Sequence, residues 1–219
     1  MKKTNAYIDG GNLYYGIVRD GRDKWLDLDA LLKSLLRPDH DIVNIKYFAS
    51  RVIDKSPDHH KSERQDKYFD ALRNRPNIEI IEGRYREQKE LLAPVSMPCI
   101  KCPDRRDDGR VKVARITEKL TDVNIAASML VDAFEYRADS FVLVSGDSDL
   151  APVVKAIRYR LGFPVIVFNP QRSICNELRR YATFYRNIDS TATAGCRLPD
   201  SFPAQDGTSR IIHCPDAWK

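Results

Sequence analysis

The sequence predicts an α/β fold in which helices sandwich a mainly parallel sheet. Two observations predict it: short apolar runs closed by turn residues recur along the 219 residues, and helical stripes separate them. With 42% hydrophobic residues the chain can bury one sizeable core and carry an appendage.

Residues 4–8 read as a buried strand closed by Asp9-Gly10-Gly11-Asn12, a tight turn into a helix. Trp25, Leu28, Leu31, Leu32 and Leu35 lie on one helical stripe over residues 25–36, which stops before Pro38. Residues 42–49 form a second strand, 59–74 an exposed amphipathic helix with Tyr68, Phe69 and Leu72, and 77–81 a third strand. Residues 86–110 hold Pro94, Pro98, Pro103, Gly109 and many charges, so they read as a loop insertion that returns as a strand over 111–116. Thr121 is a good N-cap for a helix over 122–134. Residues 141–144 make an apolar strand closed by Ser145-Gly146-Asp147-Ser148-Asp149, and 150–161 a helix with Pro152 in its first turn. A strand over 165–168 and a helix over 173–181 complete a main domain of residues 1–189. Residues 190–219 turn to Thr, Ala, Gly, Pro and Ser yet keep Leu198, Phe202, Ile211, Ile212 and Trp218. They are expected as a C-terminal extension, partly ordered or packed on the core, with a small hairpin turning at Gln205-Asp206-Gly207-Thr208.

Lys2 and Lys3 run straight into a strand without a signal-type apolar core, and no stretch is long enough to span a membrane. Five scattered cysteines fit free thiols in a reducing cytoplasm. A formal charge of +5 favours a polyanionic partner.

In parallel α/β sheets ligands sit beyond the carboxyl ends of the strands. Asp9 and Asp147 each end a strand, Asp149 follows two residues on, and Asp122 opens the preceding helix. Each alone is commonly a turn former or a cap; four at equivalent places point to one crevice. Converging carboxylates repel each other unless a divalent ion joins them, and hard oxygen ligands select Mg or Mn. Asn12 can offer an amide, and Ser145 and Ser148 hydroxyls, to a bound water or phosphate. The chemistry that fits is metal-assisted phosphodiester hydrolysis. Asp132 lies about 15 Å of helical rise from Asp122 and reads as facing solvent or a salt bridge.

Basic residues gather at Arg84, Arg86 and Lys89, over 101–115 and 155–160, and at Arg179 and Arg180. Arg115 and Lys119 are the candidate phosphate contacts among them, and the interleaved Tyr85, Tyr159, Tyr181 and Tyr185 could stack unpaired bases. Cys99 and Cys102 have the spacing of half a structural zinc site, whose other ligands would have to come from Cys175, Cys196, His213 or Cys214; free thiols are the favoured reading. His59 and His60 read as surface residues.

Tyr7-Ile8-Asp9-Gly10-Gly11-Asn12, Lys119-Leu120-Thr121-Asp122-Val123 and Leu143-Val144-Ser145-Gly146-Asp147-Ser148-Asp149-Leu150 resemble the three ordered motifs of NYN-domain proteins, members of the PIN-like superfamily of metal-dependent ribonucleases. The resemblance covers about residues 4–186. It implies a three-layer Rossmann-like sandwich, a Mg or Mn site and endonucleolytic cleavage of RNA, with Asp9, Asn12, Asp122, Asp147 and Asp149 at the motif positions. Where many members carry a further Asp in the helix after Asp122, this chain has Ser128. Two other readings stay open: a catalytically silent RNA-binding or adaptor protein on the same fold, and a nucleotide-sugar transferase that uses Asp147-Ser148-Asp149 as an Asp-x-Asp metal motif. Apolar helix faces also leave room for a homodimer.

Overall fold

The computed structural model describes residues 1–21, 23–52, 60–93 and 110–219. The chain alternates strands and helices: β1 (Lys2–Asp9), α1 (Gly10–Leu13), α2 (Leu28–Leu35), β2 (His40–Ala49), α3 (Lys61–Arg73) and β3 (Ile78–Glu82) come first. An antiparallel hairpin of β4 (Arg84–Leu92) and β5 (Val111–Lys119) follows, and then α4 (Thr121–Phe134), β6 (Ser140–Val144), α5 (Ala151–Tyr159), β7 (Val165–Asn169), α6 (Asn176–Tyr181) and β8 (Phe184–Asn187). Six strands make one sheet in the order β3-β2-β1-β6-β7-β8, with every pairing parallel. This is the three-layer Rossmann-like sandwich expected.

Alternate side chains of the strands feed two cores, as a sheet covered on both faces requires. On one face Ala6, Ile8, Ile45, Val142 and Val144 meet Leu28, Leu31 and Leu32 of α2 and Phe69 and Leu72 of α3. On the other, Tyr7, Phe48, Phe141, Leu143 and Val167 meet Ile125 and Met129 of α4, Val154 and Ile157 of α5 and Leu178 of α6. Asp132 is buried in this second layer, where it accepts from Tyr7 Oη at 2.6 Å and Lys46 Nζ at 2.7 Å. The salt-bridge expectation for Asp132 holds, and the solvent-facing one does not.

Several boundaries differ from the sequence reading for local reasons. The helix expected over 25–36 begins at Leu28, because Asp27 accepts from Asp29 N and Ala30 N and ends the extended segment that bridges Leu26 to Arg197. The helices expected over 150–161 and 173–181 shorten to α5 and α6. Thr121 is the first residue of α4 rather than its cap; Leu120 holds the cap position with φ at 80°. The insertion is not a loop from residue 86 onward, since β4 runs to Leu92 in register with β5, Arg84 opposite Lys119 and Leu92 opposite Val111. Cys99, Cys102 and His59 lie outside the described residues.

After β8 the chain crosses back to the first core. Strands β9 (Ser201–Pro203) and β10 (Ile211–His213) pair antiparallel around the expected turn, and Cys196, Leu198, Ile212 and Cys214 join the core cluster. Trp25 ties this segment down. Its ring is fully buried among Tyr68, Phe202 and Trp218 at centroid distances of 5.9, 6.5 and 6.3 Å, and its Nε1 donates to Pro199 O at 2.9 Å. Trp25→Ala is therefore expected to lower unfolding stability by about 3–5 kcal/mol in urea titration. A loss below about 1 kcal/mol would show that residues 196–218 do not contribute to the cooperative core.

Candidate metal centre

From the adjacent pair β1 and β6 the sheet is built outward in both directions, so the crevice above their carboxyl ends is its switch point. Ile8 pairs with Val144, which sets Asp9 beside Ser145. Asp9 Oδ1 accepts from Asn12 N at 2.9 Å, capping α1, and Oδ2 accepts from Ser145 Oγ at 3.0 Å. Ser145 Oγ accepts in turn from Asp147 N at 3.1 Å, and Asp147 Oδ1 from Asp149 N at 2.9 Å. Asn12 Oδ1 receives Gly146 N at 3.0 Å and Gln171 Nε2 at 2.9 Å. The first and third sequence motifs are thus one interlocked polar unit. Gly146 is required by proximity: a Cβ there would stand 2.2 Å from Asn169 Oδ1.

A cleft of about 270 Å³ opens over this unit, with Asp9, Asn12, Glu118, Lys119, Asp122 and Asp147 in its wall. Glu118 was not singled out from the sequence. It arrives at the base of β5, where Thr121 Oγ1 donates to its Oε1 at 2.6 Å. The left-handed backbone of Leu120, uncommon for a residue with a side chain, turns the strand into α4 between Glu118 and Asp122. A methyl group on Gly11 would lie 3.5 Å from Asp9 Oδ1 and 3.9 Å from Glu118 Oε2, so the two carboxylates face one space. A Glu four residues before the motif Asp was the available signal, but only the hairpin register brings it to the cleft.

The electrostatics record the convergence. Burial pushes the Asp9 carboxyl up to about 6; its bonds to Asn12 and Ser145 oppose the rise, and the charges of Asp122 and Glu118 add to it. Asp122 is also raised, first by burial and then by Asp147, Glu118 and Asp149. Among the described residues, no three side chains of metal-binding type already stand close enough around one point to hold an ion. Like charges without a cation spread apart. The donor set itself is all oxygen, the chemistry that suits Mg or Mn.

The other expected site residues fall as follows. Asp149 and Ser148 are exposed at the short 3-10 turn after Asp147, outside the cleft wall, and Asp149 reaches Asp122 through its field. Ser145 is fully buried and its hydroxyl holds Asp9. Arg115 sits up the hairpin opposite Gln88, on the face that carries Arg84 and Lys119 rather than the one that carries Tyr85 and Glu118. Ser128 lies along α4, about 9 Å of rise beyond Asp122, and does not line the cleft. Tyr159 and Tyr181 are engaged by Arg158 and Lys155, and Tyr185 Oη accepts from Asn169 Nδ2 and Cys175 N. Cys175, Cys196 and Cys214 are free thiols.

Sheet order, switch point and acidic cleft define a PIN-like, nuclease-type domain, and the chain belongs to the NYN domain family, whose model matches residues 3–189. It is similar to 6-hydroxy-3-succinoylpyridine 3-monooxygenase HspA of Pseudomonas putida, with 32% identity over 99% of this chain and 75% of that protein. In fold it is similar to a protein of unknown function from Vibrio parahaemolyticus, at a TM-score of 0.54 and 22% identity over 86% of this chain and 93% of that one.

The raised Asp9 value sets the sign of a pH effect. Its folded pKa of about 6 lies above the ordinary 3.8, so the folded chain holds an extra proton between those values, and stability falls as pH rises through that window. With chelator at pH 7.5, Asp9→Asn should be more stable than wild type by roughly 1–3 kcal/mol. Added Mn should raise the wild-type melting temperature and leave the variant's unchanged. A variant less stable than wild type under chelator would show that the ionised carboxylate is not under strain.

Proposed function

We propose that this chain is a Mg- or Mn-dependent endoribonuclease acting on RNA in the cytoplasm. The observation that carries the reading is the group of mutually repelling carboxylates in one open cleft at the sheet's switch point. Asp9, Asp122, Asp147 and Glu118 are the residues that would hold the cation. Once bound, a divalent ion there supplies polarisation of a phosphoryl oxygen and a more acidic water. The protein's own part is positioning. Ser145 and Asn12 N fix the Asp9 carboxylate, Thr121 fixes Glu118, and Gly146 N and Gln171 hold Asn12 by its carbonyl, which leaves its Nδ2 without a partner among the described residues. That amide is a donor suited to the non-bridging oxygens of a phosphate; Lys119 borders the same cleft, with its side chain on the hairpin face opposite that of Glu118.

Purified protein with Mn should cut end-labelled total RNA, chelator should stop it, and Asp147→Asn should lower the rate by roughly 100-fold or more, the scale of removing a group that stabilises developing charge. RNA binding without divalent-dependent cutting would select the silent adaptor reading instead. The similarity to HspA favours a second reading, oxygenation of a small hydroxypyridine. Consumption of 6-hydroxy-3-succinoylpyridine with dioxygen and a reduced nicotinamide or flavin, in a preparation that leaves RNA intact, would establish it.

A further inference from the structure

Tyr14 and Tyr15 follow α1 directly, on a π-wound turn over Tyr14–Val18 in which Arg19 N donates to Tyr14 O. Such turns are rare and often lie at functional sites. This one is pressed against the loop after β7: a Cβ on Gly16 would stand 2.5 Å from Pro170 O, so the glycine lets the turn seat there. The seat fixes where the two rings point. Tyr15 is 62% exposed, lines the acidic cleft, and its hydroxyl has no hydrogen-bond partner among the described residues. Tyr14 meets it edge-on at 5.3 Å and 79°, which holds the ring from one side. The Arg19 guanidinium, fixed by two 3.0 Å bonds to Asp20, lies 5.8 Å from the Tyr15 ring centre. Tyr85 stands opposite Glu118 in the hairpin register, on the same face as that carboxylate. Burial, then the charges of Glu118 and Tyr15, push the Tyr85 phenol up.

A ring this exposed, braced by a second ring and a cation and placed on the lip of a phosphate-type cleft, serves no core. We propose that Tyr15, braced by Tyr14 on the lip of the acidic cleft, is the side chain on which an unpaired nucleobase stacks. The inference rests on the phosphodiester reading above and adds the side chain that receives a base. Bases inside a duplex are already stacked on each other and cannot reach a side-chain ring, whereas an unpaired base offers its π-face to any aromatic residue of any sequence context.

The test uses the full chain carrying Asp147→Asn, so that RNA survives, and a single-stranded RNA containing 2-aminopurine, beside its duplex. In this background Tyr15→Ala should weaken single-strand binding by about 5- to 100-fold, Tyr15→Phe should stay within about 3-fold, and the 2-aminopurine quenching seen with Tyr15 should vanish with alanine. Duplex binding should be weaker and indifferent to Tyr15. Thermal melts should be unchanged, since the ring is exposed. If the parent binds the single strand and Tyr15→Ala binds it equally well, the platform is overturned while the cleft reading stands. If the parent binds no RNA in either form, both fall together.

Discussion

The constraint on which this molecule turns is a carboxylate, Asp9, held almost out of water at the carboxyl end of the central strand. Burying a charge there is costly unless hydrogen bonds and an opposite charge offset the lost hydration. Two hydrogen bonds are present, from Asn12 N and Ser145 Oγ, and the neighbouring charges of Asp122 and Glu118 work in the wrong direction. The elements near the cleft are arranged around that problem. The loop after β6 wraps Asn12, α4 starts with an acidic residue at the rim, and the hairpin base brings a fourth carboxylate where a purely stabilising design would bring a cation. The Asp132 carboxylate makes the contrast within the same chain: it is equally buried, but Lys46 neutralises it at 2.7 Å and the pair is structural.

Most of the sheet was legible because strands buried on both faces read as unbroken apolar runs, as Phe141 to Val144 does. The edge strand β8 was not, since Phe184-Tyr185-Arg186-Asn187 mixes types and is largely exposed. Trp25 misled for the opposite reason: it falls on the α2 stripe by spacing, yet its burial comes from Phe202 and Trp218, about two hundred residues away in sequence for the latter. The hairpin strand β4 carries charges on both faces, and its register with β5 is what defines it.

The same distinction runs through the site. Asp9, Asp122 and Asp147 were legible because each follows or opens an element whose end the sequence marks. Glu118 was not placed, since it reaches the cleft through antiparallel pairing across an insertion. Tyr15 escaped because a π-wound turn rotates side chains away from the positions that a 3.6-residue period assigns. Residues whose place depends on local chain order were readable, and residues placed by register or by irregular winding were not.

Asp9, Asp122, Asp147 and Glu118 are proposed to share one divalent cation. Electron paramagnetic resonance of free Mn, titrated into chelator-stripped protein at pH 7.5 beside Asp122→Asn, tests it without any RNA. Wild type is expected to suppress the free-ion signal until a stoichiometric amount has been added, and the variant to suppress far less. A free-ion signal that grows from the first addition, identically in both proteins, would contradict it.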